Sequence, residues 1–300
     1  MRINLSHLTR RLTRQLLNVC DQDMRHAQRE LHWMLSHVKD TSKKPNTTEN
    51  LTFHDAQRLA DMVKDRVEHH KPLQYILGSQ PFCDLDIVTR PPTLIPRWET
   101  EEWVYRLLEH LKQHDGKRRI LDLCTGSGCI ALALAQHLPQ GTADIHAVDF
   151  SPSALSLARL NAELLSSQLT NVVNIEKMDV LNTNDFKLGG DAAPFDLIVS
   201  NPPYVTHAEY AELTPDVKEW EDRAALVADD DGVAFHLHIA NVIGKQNVLS
   251  NTPTHWPRLV MEIGGTHQVS KITKALQVNG LSRVEVWKDL AGKDRAIAAG

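Results

Sequence analysis

The sequence has no surplus of basic residues: 33 Lys and Arg stand against 38 Asp and Glu, for a net charge of -5. Proteins that hold nucleic acid by bulk electrostatics carry a positive excess that displaces counterions from phosphates, so this balance weighs against that class. No segment is both basic and rich in aromatics, as a base-recognition domain would be. Cysteine is scarce. Cys20, Cys83, Cys124 and Cys129 form no CxxC pair and no Cys/His zinc spacing, so they read as reduced thiols in an intracellular compartment, and no metal site is expected. No apolar run approaches the roughly 20 residues that span a bilayer, and no membrane partner is expected. There is no internal repeat. What is present, 42% apolar and 24% charged residues, is ordinary for a globular chain long enough to bury one large core or two modest ones.

Residues 1 to 80 read as a small all-α helical bundle. Apolar residues recur at three- and four-residue steps through Ala27, Leu31, Met34, Leu35 and Val38, and again through Leu51, Ala56, Leu59, Met62, Val63 and Val67. Thr52 is a candidate N-cap for the second of these helices. Polar residues 39–50 separate them as a loop. The first twenty residues carry Arg2, Arg10, Arg11 and Arg14 and no acid, the composition of a mitochondrial transit peptide. Ile3, Leu5, Leu8, Leu12, Leu16 and Val19 recur there at helical spacing, so the same stretch also reads as the first helix of the fold. Residues 81–98, with Pro81, Pro91, Pro92 and Pro96, form an extended connector that includes a hairpin.

From residue 99 to 300, helical patterns alternate with short apolar runs. Strands are expected at Arg119–Cys124, Ile145–Asp149, Val172–Met178, Phe195–Ser200, Leu259–Ile263, Arg283–Trp287 and Arg295–Ala299. Helices are expected at Glu99–Gln113, Ile130–Gln136, Ala154–Leu165, Gly232–Ile243 and Thr266–Asn279, and polar loops at 182–194 and 244–256. Strands separated by helices imply an α/β class with a mainly parallel, Rossmann-like, seven-stranded sheet covered on both faces.

Ile120 to Ala131 reads as a strand that runs through a tight turn into a helix. Gly126 and Gly128 let backbone N–H groups approach a ligand without a Cβ in the way. Asp149 closes the next apolar run, where a carboxylate can accept hydrogen bonds from two ribose hydroxyls. Taken alone this is ambiguous: Gly126-x-Gly128-x-x-Ala131 with Asp149 also satisfies the dinucleotide fingerprint, and glycine turns occur with no ligand at all. Asp122 favours S-adenosylmethionine, because a carboxylate at a strand's C-terminal end can meet the cationic sulfonium, directly or through the loop it orders.

A buried strand, Phe195 to Ser200, runs straight into Asn201-Pro202-Pro203-Tyr204. An amide nitrogen is a poor nucleophile because its lone pair is delocalised into the carbonyl. Two acceptors aimed at its N–H groups would orient it. Asn201 supplies a side-chain oxygen, Pro202 a backbone carbonyl held by the flanking proline, and Tyr204 a flat face for a planar group. A plain proline turn ending a strand is the alternative.

These residues resemble the HemK/PrmC family of release-factor glutamine methyltransferases. The likeness extends over nearly the whole chain, through Pro72 to Gly78, Leu94-Ile95-Pro96-Arg97-Trp98-Glu99-Thr100-Glu101, the glycine loop, the Asn-Pro-Pro-Tyr turn, Glu221-Asp222-Arg223-Ala224-Ala225-Leu226 and Met261-Glu262-Ile263-Gly264. It implies a helical domain that docks a class 1 peptide chain release factor and a catalytic domain that methylates N5 of the glutamine in its Gly-Gly-Gln motif. It implies that Cys124, Thr125, Gly126, Ser127 and Gly128 wrap S-adenosylmethionine with Asp122 beneath. Asp149 would hold the ribose, Asp179 and Val180 would flank the adenine, and Asn201, Pro202, Pro203 and Tyr204 would hold the glutamine. Cys124 departs from the usual glycine, Val180 from an aromatic found in some members, and Asp222 from a common proline. The helical domain marks the bacterial and organellar type, which implies a monomer in the mitochondrial matrix or, in a bacterium, the cytoplasm.

Other residues carry weaker signals. Pro96 and Arg97 are candidates for the cofactor mouth, Glu262 for bracing Asn201, and Trp98 and Trp103 for the core. The rival readings are an adenine-N6 methyltransferase acting on DNA or RNA, which needs the same clamp for a planar amino group, an NAD-dependent enzyme, and a binding protein built on a decayed methyltransferase.

Overall fold

The computed structural model describes residues 2–42, 50–113, 116–182, 186, 194–250 and 256–300. The loops expected at 39–50, 182–194 and 244–256 lie in part outside the described residues. The chain divides into two compact units, one of Met1–Ser79 with Thr214–Trp220, the other of Gln80–Leu213 with Glu221–Gly300.

The first unit is built on α1 (Leu5–Leu16), α2 (Met24–Asp40), α3 (Phe53–Glu68) and α4 (Leu73–Leu77). Its core is the apolar stripe of each long helix: Leu8, Leu12 and Leu16, then Ala27, Leu31, Met34 and Val38, then Ala56, Leu59 and Val63. It is not purely helical. A short strand β1 (Arg2–Asn4) pairs antiparallel with β2 (Asn50–Thr52). The reason is local. Asn4 and Thr52 are N-caps with extended backbones, accepting from the N–H of His7 and Asp55, and an N-cap must be extended for its side chain to reach back. Two extended lead-ins lying side by side complete each other's backbone hydrogen bonds. Inside the unit the buried Arg66 guanidinium forks onto the buried Glu30 carboxylate at 3.1 and 3.2 Å. Asp216, from the distant piece of the same unit, stands 3.5 Å from Arg66.

The second unit opens with a hairpin, β3 (Ser79–Phe82) and β4 (Leu85–Val88). Its two turn residues, Cys83 and Asp84, both have positive φ, the turn whose twist matches that of the strands. Then follow α5 (Trp98–Lys112), β5 (Arg118–Leu123), α6 (Cys129–His137), β6 (Ala143–Asp149), α7 (Pro152–Leu164), β7 (Val172–Lys177) and β8 (Leu197–Ser200). Four short helices, α8 (His207–Glu212), α9 (Pro215–Lys218, in the first unit's distant piece), α10 (Arg223–Leu226) and α11 (Asp229–Gly232), occupy a stretch for which the sequence pattern gave no element. The chain ends with α12 (Ala234–Lys245), β9 (Leu259–Glu262), α13 (Thr266–Val278), β10 (Val284–Lys288) and β11 (Asp294–Ala299).

The seven expected strands form one sheet in the order β10-β11-β9-β8-β5-β6-β7. All neighbours are parallel except β11, which is antiparallel to both of its own. Strand residues alternate between two cores: Ile120, Val260 and Ala298 pack with α5 and α6, while Leu121, Met261 and Ile297 pack with α12 and α13. Burial on both faces explains why these strands read as continuous apolar runs. The chain builds outward from β5 through β6 to β7, then returns to add β8 and β9 on the other side. Strand order therefore reverses between β5 and β8, and their carboxyl ends open the crevice where such sheets bind ligands.

Candidate active site

Register brings the motifs together. Leu123 of β5 lies opposite Val148 of β6 and Ser200 of β8, and Ser200 lies opposite Met261 of β9. The next residue on each strand, Cys124, Asp149, Asn201 and Glu262, therefore falls at one level across the catalytic edge. Motifs scattered over the sequence become neighbours because four parallel strands end in step.

Above this edge is a cavity of about 290 Å³, lined by Cys124 and Gly126 from the glycine loop, Asp149 and Phe150 from the end of β6, and Asn201 and Pro203 from the turn after β8. Thr93, Leu94, Asp222, Ala224, Ala225 and Phe235 complete the wall, with the start of α7. Gly126 has φ +58, and a Cβ there would meet no protein atom within 4 Å, so it would stand in open space on the cavity wall. Gly128 has φ +84 for a different reason: its Cβ would press on Ala158 Cβ at 3.2 Å, where α7 packs against the loop.

Asp149 Oδ2 accepts from the Gly126 N–H at 2.9 Å, and its Oδ1 from the Ser151 N–H at 2.9 Å. Each oxygen keeps a second lone pair for a ligand hydroxyl. Burial pushes this carboxyl above its ordinary range, against the pull of those N–H groups. Asp122 is fully buried, and its carboxylate takes the Thr125 hydroxyl at 2.6 Å. It lies beneath the loop, outside the cavity lining, so it acts by ordering the turn. Burial raises its pKa to about 7. Cys124, at φ +60, adopts the left-handed backbone that a glycine takes without cost. Asp179 uses its side chain to accept the Leu181 N–H at 2.9 Å, and Val180 sits in the apolar core with Val148 and Met178. Neither lines the cavity.

The Asn-Pro-Pro-Tyr turn is held from behind. Tyr204 donates its hydroxyl to Glu262 Oε1 at 3.0 Å, and its backbone carbonyl accepts from Gln268 Nε2 at 2.8 Å. Burial and the Glu262 charge push the Tyr204 phenol far up, so it stays protonated. Glu262 Oε2 accepts from Thr100 Oγ1 at 2.6 Å and from the Trp103 indole N–H at 2.8 Å. Asn201 Nδ2 donates to Thr100 Oγ1 at 3.2 Å. The buried imidazole of His236, its pKa lowered by burial to about 4 and so neutral, donates Nε2–H to the Glu262 carbonyl. Asn201 Oδ1 and the Pro202 carbonyl accept no hydrogen bond among the described residues. Arg97 pairs with buried Glu221, which ties the stretch around Pro96 to the segment carrying Asp222. Asp222 donates its N–H to the Pro92 carbonyl at 2.8 Å, a bond the usual proline could not make.

The structure thus gathers Cys124, Gly126, Asp149, Asn201 and Pro203 around one cavity, with Asp122, Thr125 and Tyr204 in supporting positions. Sequence reasoning missed Thr100, Gln268 and Gly232 as supports, and Phe150 and Phe235 as walls. Phe150 left a signal in the sequence, an aromatic set between a strand's terminal acid and a helix N-cap; in the structure it is 60% exposed, with the Lys177 ammonium 5.4 Å from its ring centroid. Among the described residues one other group has metal-ligand chemistry, Cys20, His26 and Glu30 in the helical unit. Its carboxylate is already committed to Arg66, and burial pushes the Cys20 thiol up to about 11.

Residues 105–217 match the methyltransferase small domain. The release factor glutamine methyltransferase of Bacteroides thetaiotaomicron is 36% identical over 81% of this chain and 81% of its own length. That of Bacillus subtilis is 33% identical over 90% of this chain and 96% of its own. The Schizosaccharomyces pombe protein named probable MRF1 mitochondrial N(5)-glutamine methyltransferase mtq1 is 36% identical over 75% of this chain and 74% of its own. Among solved structures, the N-terminal domain of human METTL16 in complex with SAH superposes with a TM-score of 0.51 at 17% identity, covering 90% of this chain and 94% of that one. This last likeness is one of fold.

Proposed function

Because this chain belongs to the release factor glutamine methyltransferase family, we propose that it transfers a methyl group from S-adenosylmethionine to the side-chain N5 of the glutamine in the Gly-Gly-Gln motif of a class 1 peptide chain release factor. The observation that carries the proposal is that Asn201 lines the same cavity as Gly126 and Asp149. The residues present fit the cofactor. Asp149 offers lone pairs to a ribose diol, and Phe150 offers an exposed aromatic face to the adenine. The open space at Gly126 leaves room beside the loop. Asp149 and Asp222 give the wall the negative charge that a sulfonium ligand needs. When bound, S-adenosylmethionine supplies an electrophilic methyl on an activated leaving group.

The protein's own work is orientation. Asn201 Oδ1 and the Pro202 carbonyl accept the two N–H groups of the glutamine amide and fix the direction of its nitrogen. Pro203 and the Glu262-anchored Tyr204 keep the turn from yielding. Such positioning is worth roughly 7 to 11 kcal/mol of barrier. No strong base is required before transfer, because the proton leaves the nitrogen once the N–C bond has formed. The helical unit docks the release factor, Asp179 and Val180 lie beyond the wall toward the adenine end, and the enzyme acts as a monomer. Its place is the mitochondrial matrix or, in a bacterium, the cytoplasm. The mitochondrial name of the S. pombe relative and the arginine-rich start support the former.

Incubation with methyl-labelled cofactor and either a release factor or duplex DNA tests the assignment. Label on the release factor, mapped by mass spectrometry to the Gly-Gly-Gln glutamine and absent with Asn201→Ala, is the expected result. Label on adenine would replace it with the nucleic-acid reading.

A further inference from the structure

We infer that Thr100 and Glu262 are positioning residues that fix the sense of the Asn201 carboxamide, so that the site can present its acceptor only with an oxygen. The inference rests on the glutamine-methylating role assigned above for its kinetic consequence, but the geometry behind it stands alone.

The protons available on these groups fix the direction of each bond. An indole N–H can only donate, so the Trp103 contact at 2.8 Å makes Glu262 Oε2 an acceptor. Burial raises the Glu262 pKa, but the bonds from Thr100, Trp103 and Tyr204 pull it back down; with the carboxylate ionised, Thr100 Oγ1, 2.6 Å from the same oxygen, gives its one hydrogen there. Having spent that hydrogen, Thr100 can meet a second group only as an acceptor. The Asn201 side-chain atom 3.2 Å away must then be the amino nitrogen. The Asn201 oxygen is left as the one carboxamide atom free to face the cavity. Thr100 is 2% exposed and Glu262 1% exposed, so neither can escape the chain of bonds by turning to water. The third donor on Glu262, the Tyr204 hydroxyl at 3.0 Å, couples the same carboxylate to the other end of the turn. One buried acid thus sets both Asn201 and Tyr204.

The consequence is chemical selectivity. A site that offers only acceptors takes an N–H donor such as a primary amide and repels a carboxylate, which has no hydrogen to give. Without Thr100 the Asn201 carboxamide could rotate by half a turn and present N–H groups instead. Glutamine would then be oriented poorly and glutamate tolerated better.

The test compares wild type with Thr100→Val, which keeps the shape but removes hydroxyl chemistry, and Thr100→Ser, which restores it. The first readout is the Asn201 side-chain amide in ¹⁵N spectra, assigned through its loss in Asn201→Asp. Its exchange with solvent should be slow in wild type and Thr100→Ser, and at least about tenfold faster in Thr100→Val. The second is kcat against a Gly-Gly-Gln peptide, expected to fall roughly 30-fold in Thr100→Val. That factor corresponds to about 2 kcal/mol at 1.4 kcal/mol per tenfold. KM for the cofactor should be unchanged and kcat largely restored in Thr100→Ser. A third readout is inhibition by the Gly-Gly-Glu peptide, expected to be absent in wild type and present in Thr100→Val. Equal amide exchange in wild type and Thr100→Val overturns the inference. Altered exchange in a protein that methylates no glutamine would leave the positioning intact and remove the substrate assignment instead.

Discussion

Gly126 and Gly232 share a left-handed backbone, at φ +58 and +79, yet an alanine at each should fail in opposite ways. At Gly126 the added Cβ meets no protein atom within 4 Å. Only the backbone cost remains, roughly 1 to 2 kcal/mol, but the methyl stands on the wall of the cavity and takes space from the cofactor. At Gly232 the Cβ collides with the Tyr204 carbonyl oxygen and the Gln268 amide, and stands 3.0 Å from the Tyr204 carbonyl carbon. Relief must break the 2.8 Å bond between them. Adding an unmet buried group at roughly 1 to 3 kcal/mol and overpacking at a similar cost to the backbone term gives about 4 kcal/mol or more. Urea denaturation of the ligand-free protein, with calorimetric titration of S-adenosylhomocysteine, separates the two. Gly126→Ala should lose only roughly 1 to 2 kcal/mol of stability but bind at least about tenfold more weakly. Gly232→Ala should be strongly destabilised and, in whatever folded fraction remains, impaired in kcat through the displaced Tyr204. Equal losses of stability, or unchanged affinity in Gly126→Ala, would refute the assignment of these two glycines.

Asp149→Asn keeps the size but gives up one acceptor oxygen, so cofactor affinity should fall roughly 30-fold or more. In wild type, affinity should weaken as pH drops through the raised pKa of this carboxyl, because the protonated form accepts less well; a titration series in pH checks both. Asp122 has a folded-state pKa raised from 3.8 to about 7, so its neutral form is the one the fold favours. Its contribution should turn destabilising as pH rises from about 4 to 7, and the stability of wild type relative to Asp122→Asn should decline across that window in urea midpoints. Arg66→Met strands the buried Glu30 charge and should cost the helical unit about 3 to 5 kcal/mol, much of it recovered by Arg66→Met with Glu30→Met; circular dichroism melts report this.

The elements that periodicity can see were legible. All seven sheet strands and the five long helices of the second unit lie where the alternating pattern puts them, because helices cover both faces of the sheet and leave runs of apolar residues. The β1–β2 pair was not, since each strand is only three residues long and exists as a lead-in to a helix cap. At the site, residues that touch the cavity from strand ends, Asp149 and Asn201, announce themselves by type and position. Thr100 does not. Its partner Glu262 is 162 residues away, and nothing in a threonine near a helix start reveals a bond that only the packing of α5 against the end of β9 creates. Gly232 is silent for the same reason: its need for a missing Cβ comes from the Tyr204 carbonyl, not from its own neighbours. Val180 is named by resemblance alone, and its side chain packs in the core with Val148 and Met178.

The central claim is that one crevice holds both the methyl donor and the acceptor amide. The most direct measurement is a crystal structure of the protein with S-adenosylhomocysteine and a peptide carrying Gly-Gly-Gln. The expected result is the nucleoside against Asp149 and Gly126, with the glutamine amide nitrogen donating to Asn201 Oδ1 and the Pro202 carbonyl. A peptide seated away from that turn, or a nucleoside bound elsewhere, would contradict the account.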